Sequence, residues 1–144
     1  MWSALIAILS GMLMSIQGVF NTEVTKQSSM WLATGWVHFS GLLVCVVAWI
    51  ITGRDTISAL WQVNPKYVLL GGVLGAFITV TVIISMKNMG PAQTTMLLVT
   101  SQVILSYLIE VLGLFGVEKQ PFEWRKVIGT LVAIGGIIIF KWKS

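Results

Sequence analysis

The sequence predicts an all-α membrane protein, with five transmembrane helices in a single domain over residues 1–144. Three observations predict it. Hydrophobic residues make up 56% of the chain and charged residues only 10%, whereas a soluble domain carries about 25% charge. Mean hydropathy is +0.91. The charge that is present falls in short breaks between five apolar blocks, each near the ~20 residues that cross a bilayer.

The first block runs from about Trp2 to Asn21, the second from Trp31 to Thr52 and the third from Tyr67 to Met86. The fourth runs from about Ala92 to Leu114 and the fifth from Trp124 to Phe140. The breaks between them read TEVTKQSS, GRDTISALWQVNPK, KNMGP and GVEKQPFE, and they hold Pro65, Pro91 and Pro121. Proline and polar residues are the punctuation expected between helices. Trp2, Trp31, Trp49, Trp61, Tyr67, Trp124 and Trp142 fall near block ends, where amphipathic rings favour the membrane interface. The N-terminus MWSALIAIL has no basic region and no small-residue cleavage site, so it reads as a retained first span.

At ~100° per residue the first helix divides into faces. Ser3, Ser10, Gln17 and Asn21 form one stripe, and Ala4, Ala7, Gly11, Ser15 and Gly18 form a small-residue stripe beside it. The remaining arc is large and apolar and suits lipid. Side-chain amides gain nothing from facing hydrocarbon, so Gln17 and Asn21 point inward. The second helix carries Thr34, His38, Gly41, Cys45 and Thr52 on one stripe. The third is a packing helix, with Gly71, Gly75 and Thr79 in a small-xxx-small series. The fourth is the least lipid-like: Thr95, Gln102, Ser106 and Gly113 share a face, and Gln93, Thr100 and Tyr107 another. The fifth sets Gly129, Ala133 and Gly136 on one side, as a packing or dimer-contact helix would.

Several function classes are excluded or weakened. The net charge of +4 and the pI near 9.5 come from scattered single residues with no basic stripe, so no nucleic-acid partner is expected. Cys45 is the only cysteine and forms no internal disulfide. The chain has no GxGxxG, phosphate loop, CxxC or HExxH and no loop long enough for a soluble domain. It reads as no enzyme, with no cofactor and no metal.

Orientation follows the bias of Lys and Arg between the two sides. With five spans, Arg54, Lys66, Lys119, Arg125 and Lys126 fall on one side and Lys26, Lys87, Lys141 and Lys143 on the other. The orienting signal nearly cancels. Either one orientation wins by a small margin, or copies insert both ways and pair antiparallel. The second is the preferred reading, because it builds from two chains the inverted repeat that many transporters carry in one.

The expected substrate-binding residues are therefore Gln17, Asn21 and Gln102, with Ser10, Thr95 and Ser106 on the same stripes. His38 and Glu110 are the ionisable groups that could couple transport to protons, and Gly11, Gly18, Gly71, Gly75 and Gly129 are the helix-packing positions. The expected partners are the lipid bilayer, a small solute and a second copy or paralogous chain, in a bacterial inner membrane. Two alternatives stand beside the transporter: a small dual-topology ion channel, and a non-transporting packing subunit.

IQGVFN (residues 16–21), MGPA (89–92), SQVILSYLIEVLGLFG (101–116) and RKVIGTLVAIGGIII (125–139) resemble the YdcZ-like family of the drug/metabolite transporter superfamily. Gln17, Asn21, Gln102, Glu110, Gly113 and Gly116 match its pattern. Ser101 stands where that pattern has glycine, and Glu110 where it has aspartate. The resemblance spans nearly the whole chain. It implies a five-helix unit equivalent to half of a ten-helix transporter. Small multidrug exporters hold an embedded glutamate in their first helix, whereas here that stripe carries neutral amides.

Overall fold

The computed structural model describes residues 1–53 and 56–141, without the side chain of Lys141. The readings placed on Arg54, Trp142 and Lys143 lie outside these residues. Every regular element among the described residues is helical: α1 (Trp2–Gln27), α2 (Met30–Thr52), the short α3 (Ala59–Gln62), α4 (Gly71–Met89), α5 (Pro91–Leu112) and α6 (Trp124–Lys141). A 3₁₀ turn (Lys66–Leu70) leads into α4, and another (Leu114–Gly116) follows α5.

Among the described residues, four stretches are long and apolar enough to cross a membrane: Trp2–Gln27, Met30–Thr52, Lys66–Met89 and Pro91–Leu112. The predicted fifth span forms a helix over its expected range but is not among the four. Arg125, Lys126 and Lys141 stand at its two ends. The apolar run between them, Val127–Phe140, rises about 21 Å at ~1.5 Å per residue, short of a hydrocarbon core of ~30 Å.

The expected break after Asn21 is not a break. Helix α1 continues through TEVTKQ to Gln27. The hydroxyls of Thr22 and Thr25 donate to the carbonyls of Gly18 and Asn21, both at 2.8 Å, and so lie folded against the helix. Glu23 pairs with Lys26 at 2.9 Å one turn on. The hydroxyls are thus accommodated within the helix, and the Glu23–Lys26 pair supports it. Only Ser28 and Ser29 interrupt it, and Ser29 then caps α2 by accepting the backbone N–H of Leu32. The break before Pro65 likewise holds a short helix, α3, that hydropathy gave no reason to expect.

Other boundaries follow the glycines. Gly53 ends α2 at φ +123°, and its N–H reaches the carbonyl of Trp49. Gly90 takes φ +82° just before Pro91 opens α5, and its carbonyl accepts both the N–H and the hydroxyl of Thr94. Gly113 closes α5 in the left-handed region (φ +66°, ψ +39°) and donates to the carbonyl of Ile109. Each is a backbone shape that costs glycine least.

The chain divides into two compact units, residues 1–88 and 89–144. In the first, α1 packs on α2. Helix α4 reaches α1 at Gly18, where a Cβ would stand 2.5 Å from Met86 Cε and 2.9 Å from its Sδ. It reaches α2 at Gly75, where a Cβ would stand 3.2 Å from His38 Nε2. Gly18 and Gly75 therefore admit neighbouring side chains. Gly11 and Gly71 have no atom of the described residues within 4 Å of that position. The second unit is a hairpin of α5 and α6.

Candidate functional site

Among the described residues, each unit holds a groove of ligand size. In the first unit a cleft of about 570 Å³ opens between α1 and α2, with Gln17, Asn21 and Ser40 as its polar lining and Leu13, Phe20 and Trp36 among its apolar walls. Gln17 and Asn21 lie one turn apart and present their amides side by side. Gln17 is exposed and Asn21 half-buried. Neither side-chain amide hydrogen-bonds to any described residue. Each brings two N–H donors and a carbonyl acceptor, all uncommitted. Ser40, across the cleft, already donates to the carbonyl of Val37 at 3.1 Å, which leaves its oxygen free only to accept. The cleft thus offers four donors and several acceptors on an otherwise apolar wall. Such a surface can hydrogen-bond to a polar solute without fixing its charge.

In the second unit a groove of about 550 Å³ runs between α5 and α6, lined on the α5 side by Val99, Gln102, Val103, Ser106, Tyr107 and Glu110. From α6 come Lys126, Gly129, Thr130 and Ala133. Gln102 stands mid-helix, is exposed and has no hydrogen-bond partner for its amide among the described residues. Glu110 lies two turns further on, and there the polarity changes to charge. Its carboxylate meets Lys126 Nζ at 3.4 Å, and the same ammonium lies 3.7 Å from Glu123. Lys126 also sits 5.4 Å above the ring of Tyr107. The Tyr107 hydroxyl accepts the N–H of Glu123 at 2.7 Å and donates to the carbonyl of Glu123 at 3.1 Å. Phe122 lies between Tyr107 and Trp124, tilted to the first and edge-to-face with the second, with centroids at 6.1 and 5.3 Å. One end of the hairpin is therefore tied by ions, hydroxyl and rings together.

The structure thus joins Gln17 to Asn21 in one groove, and Gln102, Ser106 and Glu110 in the other. Ser10 lies apart, its hydroxyl folded onto the carbonyl of Ile6 at 3.0 Å. Thr95 lines neither groove. Gly129 borders the second groove with no atom within 4 Å of a Cβ position, so it leaves room in the groove. His38 does not line the amide cleft. Its Nδ1 stands 2.8 Å from the carbonyl of Thr34. A carbonyl only accepts, so Nδ1 carries the proton and Nε2 is turned toward Gly75 of α4.

Reading the sequence alone missed Lys126, Tyr107 and Glu123. Lys126 counts only toward the charge on one side of the membrane, and Tyr107 as one more polar group on a crowded helix. A signal was present: Glu110 and Lys126 lie eight residues to either side of Glu118, near the middle of the connection that Gly113 and Gly116 reverse. Across a hairpin such residues face each other.

No curated protein and no solved structure gives a significant match to the chain. One family does: the sequence profile described as "Putative inner membrane exporter, YdcZ" matches residues 2–139. That range takes in α1 with its paired amides, the Gly90–Pro91 joint and the tied hairpin. The chain belongs to the YdcZ family.

Proposed function

We propose that the chain is one half of a dimeric secondary transporter of the bacterial inner membrane, exporting a small polar or amphipathic solute. The observation that carries this is the cleft between α1 and α2. Two uncommitted amides, Gln17 and Asn21, stand in a volume of about 570 Å³ on a helix apolar enough to cross a membrane. Lipid does not reward such groups, and helix-to-helix bonds between polar side chains are worth only about 0.6 kcal/mol on average. A solute that hydrogen-bonds, or water held in its absence, gives the amides a partner.

Gln102 and Ser106 supply the same uncharged chemistry along the second groove. The exporter description of the family agrees with a path lined by hydrogen-bonding groups. On this reading α6 is a fifth span whose basic ends snorkel to the two interfaces. The nearly balanced Lys and Arg distribution suits copies inserted both ways. Pairing two copies antiparallel would give the two-fold arrangement about which alternating access works.

The test compares the solutes released by cells that express the natural chain with those released by cells expressing Q17L/N21L at equal membrane levels. Mass spectrometry of the medium is expected to show one or a few solutes raised by the natural chain and not by the variant. Identical media would contradict the proposal.

A further inference from the structure

We infer that the groove between α5 and α6 is a binding site for an amphipathic amine, whose cationic head replaces Lys126 at Glu110 and whose apolar tail lies along Val99, Val103 and Ala133. The inference deepens the transporter reading and rests on it only for the fate of the bound molecule. Binding itself is readable without transport.

The polarity of the groove runs in one direction. From Val99 to Glu110 it extends about 16 Å along α5 at ~1.5 Å per residue. One end is apolar, Gln102 and Ser106 stand between, and the other end is charged. Gly129 and Ala133 keep the α6 wall low. That shape fits a molecule with a chain at one end and a charged head at the other.

The sign of the head follows from the charges. Glu110, Glu123 and Lys126 share one cluster, so its formal charge is −1 − 1 + 1 = −1. Neither Lys119 nor Arg125 forms an ion pair with these carboxylates among the described residues. A cationic head brings the cluster to zero, whereas an anionic one takes it to −2.

The geometry also lets Lys126 give way. The ammonium sits between two carboxylates, 3.4 Å from Glu110 and 3.7 Å from Glu123. When a ligand ammonium takes Glu110, Lys126 keeps Glu123 and the face of Tyr107, so no charge is left without a partner. The Lys126 and Glu110 side chains are 41% and 43% exposed, so a ligand can reach the pair without unfolding the hairpin. Loose, shared and accessible pairs of this kind exchange partners at small cost.

The test uses the full chain in nanodiscs of zwitterionic lipid, with a photoreactive decylamine that carries its diazirine near the tail end. Mass spectrometry of the cross-linked peptides is expected to place the label on Val99, Val103 and Ala133. Decylamine should compete, and decyl sulfate should not. E110Q should weaken labelling about tenfold, through loss of a charge-assisted contact. K126Q should strengthen it several-fold, because the internal competitor is gone. That rise separates ligand competition from a merely structural pair, whose loss would loosen the hairpin and weaken labelling. Label spread evenly over all helices, equal labelling of E110Q and the natural chain, or competition by decyl sulfate as strong as by decylamine would each overturn the inference. Specific labelling beside unchanged media in the export comparison would remove the transporter reading alone.

Discussion

The two grooves are nearly equal in size, at about 570 and 550 Å³, and opposite in how their polar groups are used. Between α1 and α2 the amides are neutral and uncommitted. Between α5 and α6 the groups nearest the hairpin end are charged and bound to one another. The contrast teaches that polar residues in an apolar chain have two distinct duties. Some already have partners within the chain; others have none among the described residues. Tyr107, Glu123 and Lys126 belong to the first kind; Gln17, Asn21 and Gln102 belong to the second, and on the proposed reading a solute supplies the partner. Glu110 is paired, but through a contact loose enough to exchange.

This contrast can be broken in several places. The largest effect is expected in the open cleft. Q17L/N21L removes two hydrogen-bonding groups worth about 1–1.5 kcal/mol each, so export should fall about a hundredfold while thermal stability stays nearly unchanged. A large drop in melting temperature with export retained would make the amides structural. Next comes the contact of α4 with α1. Gly18→Leu forces a side chain into the space of Met86 and should destabilise the protein by about 1–3 kcal/mol. Truncating the partner in G18L/M86A should recover part of that loss. Equal melting temperatures for the natural chain and Gly18→Leu would show that the two helices part freely.

On the tied side, Tyr107→Phe deletes a hydroxyl that makes two backbone hydrogen bonds to Glu123. It should cost about 1–2 kcal/mol of stability, read by thermal unfolding in detergent. The smallest effect is expected at the exposed Lys26–Glu23 pair, where Lys26→Ala should change stability by no more than about 0.5 kcal/mol.

How far the sequence could be read follows from the range of the forces involved. The boundaries of α2, α5 and α6 were legible, because glycine, proline and hydropathy act within a few residues. The continuation of α1 through TEVTKQ was not. Its threonine hydroxyls are satisfied by carbonyls of their own helix and Glu23 pairs with Lys26 one turn on, and composition cannot separate that from a loop. The pairing of Gln17 with Asn21 was readable as helical spacing, and the cleft beside them keeps it. The Glu110–Lys126–Glu123 cluster depends on a chain reversal between α5 and α6. Residue types alone left Lys126 as one of two cations at the start of the fifth block. The proximity of His38 to Gly75 was equally hidden, since nothing local links the two helices.

On the proposed reading, Gln17 and Asn21 face a water-filled cleft and not lipid. In a Cys45→Ser background, Q17C and N21C can be exposed to a small, charged thiol reagent in native membranes. Leu9→Cys serves as the control on the apolar arc of the same helix. Rapid labelling of both cleft positions and little labelling at position 9 are expected. Labelling at positions 17 and 21 as slow as at position 9 would place the amides in a dry environment and contradict it.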